Sequence, residues 1–296
     1  MVSGSSELAR KNKISDLAIG LTIVAFGTSA PEMVVNVVAA IQGHSDIVFG
    51  NIIGSNNFNL FIILGISGII SPLIVQSSTV WKEIPFSFIG GVLLLVLVNE
   101  TLISNSLGLS RLDAGFLLLL FAGFLYYVYR QLRVDPHIVP EVSIKGYNNL
   151  KIWTLILIGI GGLVLGGNLV VNNAVIIAKA LGMSEKTIGL TIVAMGTSLP
   201  ELATSVMAAL RKNNDIAIGN VIGSNIFNIL LVLPIAAFFH PLHYNLNFNT
   251  DLFLLSFGTI LLFTAMFTGG KKKLDRWEAA LMLTFYMGYT TWLIMG

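Results

Sequence analysis

Apolar runs of membrane-spanning length recur along the whole chain, separated by short polar breaks. They lie near 17–42, 47–74, 84–98, 114–129, 152–178, 187–210, 216–239, 252–268 and 279–295. A helix needs about 20 apolar residues to cross the hydrocarbon layer. The pattern therefore predicts about nine transmembrane helices, the third, fourth and eighth of them short. Composition agrees: 55% of residues are hydrophobic, 11% are charged and the mean hydropathy is +0.83. A soluble chain carries about 25% charged residues. The predicted class is an all-α polytopic membrane protein. There is no cysteine, which excludes disulfides and thiolate metal sites. The N-terminal stretch MVSGSSELARKNK is polar and basic, unlike a signal peptide.

Charge adds a direction. With nine spans, fourteen of the 17 Lys and Arg residues fall on one side and three (Arg111, Lys179, Lys186) on the other. Basic loops mark the cytoplasmic side. The N-terminal tail and the loop 131–150 are predicted to face inward and the C-terminus outward, across the cell membrane.

A shift of 169 positions overlays the chain on itself. GLTIVAFGTSAPEMVVNVVAAIQGHSDIVFGNIIGSNNFNLFIIL (20–64) aligns without a gap to GLTIVAMGTSLPELATSVMAALRKNNDIAIGNVIGSNIFNILLVL (189–233), with 25 identities in 45 positions. Shared membrane composition supplies only a handful of identities, so the two segments are copies. The first starts inside and the second outside, so they run antiparallel across the bilayer. Inverted repeats with interrupted helices are the architecture of secondary transporters. The expected layout is a first repeat at 1–130, a cytoplasmic loop at 131–150 and a second, inverted repeat at 151–296. The apolar segment 152–170 has no counterpart within the first repeat, because the offset places it before Met1. The expectation is two five-helix repeats, with the first helix of the first repeat missing from this sequence.

Each copy buries a carboxylate beside a helix breaker. Glu32 is the only ionisable residue between Leu17 and Gly43, one position after Pro31, and Glu201 follows Pro200 in the same way. The plain reading is helix punctuation: Ser29 with Glu32, and Ser198 with Glu201, have capping-box spacing, and proline suits a first helical turn. An unpaired carboxylate deep in an apolar segment costs several kcal/mol, however, and marks a candidate functional site. Both readings combine if the cap reorganises a broken helix whose free carbonyls become ligands.

Thr28 and Glu32, and Thr197 and Glu201, are four residues apart and can share a helix face. Ser55 with Asn59, and Ser224 with Asn228, repeat that spacing in the GNxIGSNxFN stretches. Glycines 50, 54, 219 and 223 suit close helix packing, which also serves as their plain reading; for the asparagines it is interhelical hydrogen bonding. Bringing the copies together gathers two carboxylates, two amides, several hydroxyls and backbone carbonyls. This all-oxygen set suits a hard cation such as Ca²⁺, which takes about 6–8 oxygens. The histidines do not fit it: His44, His240 and His243 sit at span ends and His137 in a loop. Two glutamates balance one Ca²⁺, and competition of other cations for the same charges is a physical basis for antiport. No nucleophile triad or phosphate loop is present, so the chain is not expected to be an enzyme.

GTSAPE, GTSLPE and the two GNxIGSNxFN stretches resemble the α-repeats of sodium/calcium exchangers in the cation/calcium antiporter superfamily, small prokaryotic type. The motifs cover about 90 residues, and the topology covers the chain. The resemblance implies ten helices in two inverted halves with the transported ions bound between them. Carried over position by position, it implies as ligands the carbonyls of Ala25 and Ala194 with Thr28, Ser29, Thr197 and Ser198. Glu32, Glu201, Ser55, Ser224, Asn59 and Asn228 complete the set, and Ca²⁺ would fall to Glu32, Glu201, Thr28 and Thr197. One departure is that some relatives carry Asp where Asn228 stands, which bears on Na⁺ stoichiometry and proton dependence. The absent helix belongs, in that family, to the gating pair. The loop 131–150 is too short for a large regulatory domain. The expected function is Na⁺-driven Ca²⁺ antiport, with exchange of H⁺ for Ca²⁺ or another divalent cation as the alternative. A channel or membrane scaffold is disfavoured by the inverted repeat. The expected partners are Ca²⁺, Na⁺ and lipid, with no cofactor, nucleic acid or obligatory protein partner.

Overall fold

The computed structural model describes residues 4, 7–8, 14–100, 107–131, 148–159, 161–162, 165, 176, 182–268 and 272–295. Helices dominate, and the first repeat motif makes a bent pair in each half. In the first half, α1 (Asp16–Thr28) and α2 (Ala30–Ile41) meet at 45°. Then follow α3 (Ser45–Ile70), α4 (Thr79–Asn99) and α5 (Arg111–Gln131), and α6 (Asn149–Gly159) opens the second half. In the second half, α7 (Lys186–Thr197) and α8 (Leu199–Leu210) meet at 46°, followed by α9 (Asn214–Phe239), α10 (Leu246–Ala265) and α11 (Arg276–Met295). Both bends fall at Ser29 and Ser198, whose ψ values of 7° and 5° leave the helical range just before a proline. Proline has no N–H and clashes with the carbonyl four residues back, which breaks the helix there. A five-residue π-helical segment precedes each bend, Gly20–Val24 and Gly189–Val193.

Among the described residues, five helices are long and apolar enough to cross a membrane, or seven with each bent pair taken as one span. The third span expected from sequence is longer than its pattern showed. The ninth forms α11, but its Tyr, Thr and Trp residues keep it outside those seven. The fifth, 152–178, is described as helix over its start, and its remainder lies largely outside the described residues, as do most of residues 1–13 and the loop 131–150.

The second-motif helices are the centre of the molecule. The apolar stretch of α3 is 94% buried and that of α9 83%, against 28% for α5. The peripheral helices instead show apolar side chains outward, such as Leu112, Leu119 and Phe253, as a lipid-facing surface does. Each central helix crosses the bent helix of the other repeat. A Cβ on Gly54 of α3 would lie 2.6 Å from the Leu190 carbonyl oxygen of α7, and one on Gly223 of α9 would lie 2.8 Å from Ala25 Cβ of α1. Only glycine permits these crossings, so the packing expected from small-residue spacing is present in both halves.

Two short antiparallel clips join the halves. β1 (Leu73–Ile74) pairs with β4 (Lys273–Leu274), and β2 (Gly108–Leu109) with β3 (Leu242–His243). Each takes one strand from each repeat, so the helix ends after α3 and α9 are tied to the starts of α11 and α5.

Candidate cation-binding site

The two bends face the two central helices. Glu32 and Glu201 are both fully buried, each in the first turn after its break. The capping boxes that their spacing suggested do not form: neither Ser29 nor Ser198 caps its own helix by a side-chain bond. The serines cross over instead. Ser29 Oγ donates to Glu201 Oε1 at 3.1 Å, and Ser198 Oγ donates to Glu32 Oε1 at 3.2 Å. Glu201 Oε1 also accepts from Ser224 Oγ at 3.2 Å. A buried carboxylate attracts the nearest O–H donors, and here those come from the opposite copy.

These bonds are reciprocal about the 169-residue offset: Ser29 to Glu201 spans 172 positions and Ser198 to Glu32 spans 166. The threonines obey the same rule. Thr28 Oγ1 donates to Asn220 Oδ1 and Thr197 Oγ1 to Asn51 Oδ1, both at 3.0 Å. Asn56 and Asn225, which are 169 apart, each donate from Nδ2 to the other's backbone oxygen at 3.3 Å. A residue bonded to its own counterpart lies on the two-fold axis relating the copies.

Around that axis the site asparagines are held by their amino ends. Asn59 Nδ2 donates to Asn225 Oδ1 and Asn228 Nδ2 to Asn56 Oδ1, each at 3.0 Å. Asn59 Oδ1 and Asn228 Oδ1 take no hydrogen bond, and neither do Glu32 Oε2 and Glu201 Oε2. Four buried oxygens, one from each of these side chains, are thus left over. Each costs about 1–3 kcal/mol without a partner. No Lys or Arg pairs with either glutamate among the described residues. A bare cation is the kind of partner that such oxygens can share.

The other sequence-derived candidates lie among these groups. Ser55 Oγ donates to Asn51 Oδ1 at 3.2 Å and lies 3.5 Å from Thr197 Oγ1; Ser224 Oγ lies 3.5 Å from Thr28 Oγ1. The carbonyls of Ala25 and Ala194 are not freed by the breaks. Ala25 O accepts from Ser29 N–H at 2.9 Å and Ala194 O from Ser198 N–H at 3.0 Å. The N–H groups that proline removes are those four residues on from Gly27 and Gly196. Among the described residues no three His, Cys, Asp or Glu side chains gather as a metal cluster. His44, His240 and His243 stand at helix ends or in β3.

Four asparagines escaped the sequence reading. Asn51, Asn220, Asn56 and Asn225 ligate nothing by spacing alone, yet they orient Thr197, Thr28, Asn228 and Asn59. The available signal was their identity in both copies, within the same stretch that carries Ser55 and Asn59. The copies also differ in how these asparagines meet the glutamate backbone. Asn220 Nδ2 donates to Glu201 O at 3.2 Å and to Ser205 Oγ at 2.9 Å, whereas in the first copy Asn36 Nδ2 takes Glu32 O at 2.7 Å and Asn51 Nδ2 has no partner.

The chain is similar to known proteins over both repeats. The sodium/calcium exchanger protein family model matches residues 1–130 and 151–295. The putative antiporter CaxA of Alkalimonas amylolytica is 35% identical over 97% of this chain and 91% of its own. The sodium/calcium exchanger MaX1 of Methanosarcina acetivorans is 30% identical over 97% and 91%. The solved sodium-calcium exchanger NCX_Mj, soaked with Na⁺ and Sr²⁺, superposes with a TM-score of 0.79 at 33% identity, covering 98% of this chain and 91% of that one. With family coverage across both repeats, the chain belongs to the sodium/calcium exchanger family of multi-pass membrane proteins.

Proposed function

We propose that the chain exchanges Ca²⁺ for Na⁺ across the cell membrane by alternating access, binding both between its two repeats. The observation that carries this reading is the set of four buried oxygens without hydrogen-bond partners, on Glu32, Glu201, Asn59 and Asn228. Together with the hydroxyls of Thr28, Ser29, Ser55, Thr197, Ser198 and Ser224 and the carbonyls of Ala25 and Ala194, once these exchange their present hydroxyl donors for the ion, they form a hard-cation ligand set. Ca²⁺ sits with Glu32, Glu201, Thr28 and Thr197, since the two carboxylates neutralise its charge in a medium that penalises net charge. Na⁺ competes for the same oxygens, so binding of one ion expels the other, as antiport requires. The two breaks let each half reorganise its bend without unfolding a whole span. Repeats 1–130 and 151–296 form the two inverted halves, with the loop 131–150 inside and the C-terminus outside, as the asymmetry of Lys and Arg supports.

The test is ⁴⁵Ca²⁺ uptake into vesicles carrying the chain under imposed Na⁺ or H⁺ gradients. Uptake driven by an outward Na⁺ gradient is expected. Uptake driven by the H⁺ gradient alone would make protons the coupling ion, and uptake indifferent to both would indicate a passive pathway.

A further inference from the structure

Another buried carboxylate stands away from the cation site. Asp251, near the start of α10, is fully buried, and Lys186 Nζ lies 3.2 Å from its Oδ2. Lys186 opens α7; its ammonium also donates to Asn247 O at 2.8 Å and sits 5.2 Å over the Phe248 ring. Tyr289 of α11 donates its hydroxyl to Asp251 Oδ1. On the other side, Asn57 Nδ2 of α3 donates to the Asp251 backbone oxygen at 3.0 Å. Asn57 is the immediate neighbour of Asn56, which orients Asn228.

One acidic residue therefore ties together α3, α7, α10 and α11. Two of these carry site groups: α3 carries Ser55 and Asn59, and α7 carries Thr197. A fully buried carboxylate is costly unless it is paired or does something. The first half builds this place differently: Glu83, buried near the start of α4, accepts from the Tyr127 hydroxyl of α5. The 169-residue offset carries Lys186 to Leu17 and Asp251 to Lys82, which cannot form an ion pair. In the first half the start of α1 is held instead by Asn213 Nδ2 on Asp16 Oδ2 at 2.7 Å, an amide contact from the neighbouring helix start.

We infer that Asp251 is a positioning residue: with Lys186 and Asn57 it clamps α3 against α7 at one membrane face, making cation binding from that face unlike binding from the other. The inference rests on the exchange reading above and adds a source of sidedness to an otherwise two-fold site. Asp251 touches none of the candidate ligands, so it acts through helix placement.

The test uses the full chain in vesicles of defined orientation, with the KM for Ca²⁺ measured at each face. Asp251→Asn and Lys186→Met are each expected to raise KM about tenfold at the face bearing Lys186, leaving the opposite face unchanged. Lys186→Arg, which keeps the charge, should stay near wild type. The double variant Asp251→Asn/Lys186→Met should recover most of the loss, because neither charge is then left unpaired. A lower maximal rate with both KM values unchanged would make the cluster merely structural and overturn the inference. So would equal KM shifts at both faces, or a double variant as poor as the two singles combined. A wild type that ignores a Na⁺ gradient refutes the exchange reading alone. The clamp is then judged by the coupling of the two substitutions in thermal unfolding of the purified chain, and zero coupling overturns it.

Discussion

Asn228→Asp puts a carboxylate where the natural chain holds an amide by its amino end. Asn228 Nδ2 donates to Asn56 Oδ1 at 3.0 Å, so an ionised Asp would set two acceptors against each other at that distance. Asn56 cannot turn its amide to relieve this without giving up its own donation to Asn225 O, at 3.3 Å on the two-fold axis. A protonated Asp keeps the donor and reproduces the amide. The penalty for the ionised form is that of a buried unmatched acceptor, about 1–3 kcal/mol. That converts to a loss of about five- to 150-fold in Ca²⁺ affinity. The sign follows: the variant should exchange most like wild type in acid, where its new carboxyl is protonated, and fall away as pH rises. The assay is ⁴⁵Ca²⁺ exchange in liposomes across acid to alkaline pH, with wild type in parallel. Asn59→Asp, whose partner is Asn225 Oδ1 at 3.0 Å, should behave alike because the two-fold relates the sites. Superimposable pH profiles for wild type and Asn228→Asp would refute the claim that this amide is locked by donation to Asn56.

Ser29→Ala and Ser198→Ala should weaken Ca²⁺ affinity by about tenfold, the worth of a hydrogen bond to a carboxylate, while the melting temperature barely moves. A lowered melting temperature with unchanged affinity would restore the helix-cap role. Gly54→Ala and Gly223→Ala should each destabilise the protein by about 1–3 kcal/mol, because the added methyl meets Leu190 O or Ala25 Cβ inside contact distance. Gly288→Ala, with open space around it, serves as the control in the same thermal-unfolding series.

Much of this was legible in the chain. Period and composition suffice for spanning helices, because lipid requires long apolar runs. The repeat required only an offset comparison, and it brought Glu32, Glu201, Ser55 and Asn228 to notice together. What escaped depends on how the copies are apposed. Ser29 and Glu32 have the spacing of a local cap, and only the proximity of the second copy diverts the serine to Glu201. Asn56 and Asn225 look like generic packing polars until they are seen bonded to each other. Asp251 lies one position outside the expected span 252–268, and the sequence pattern gives no sign of its burial. Its burial is set by Lys186, Tyr289 and Asn57, which arrive from three other helices.

The central claim is that one glutamate from each repeat holds a single divalent cation between them. Equilibrium ⁴⁵Ca²⁺ binding to the purified chain tests it most directly, comparing wild type with Glu32→Gln and Glu201→Gln. Each substitution leaves one carboxylate against a doubly charged ion, so each alone should lower affinity at least about 100-fold while the protein stays folded. Either variant binding Ca²⁺ as tightly as wild type would contradict the shared site.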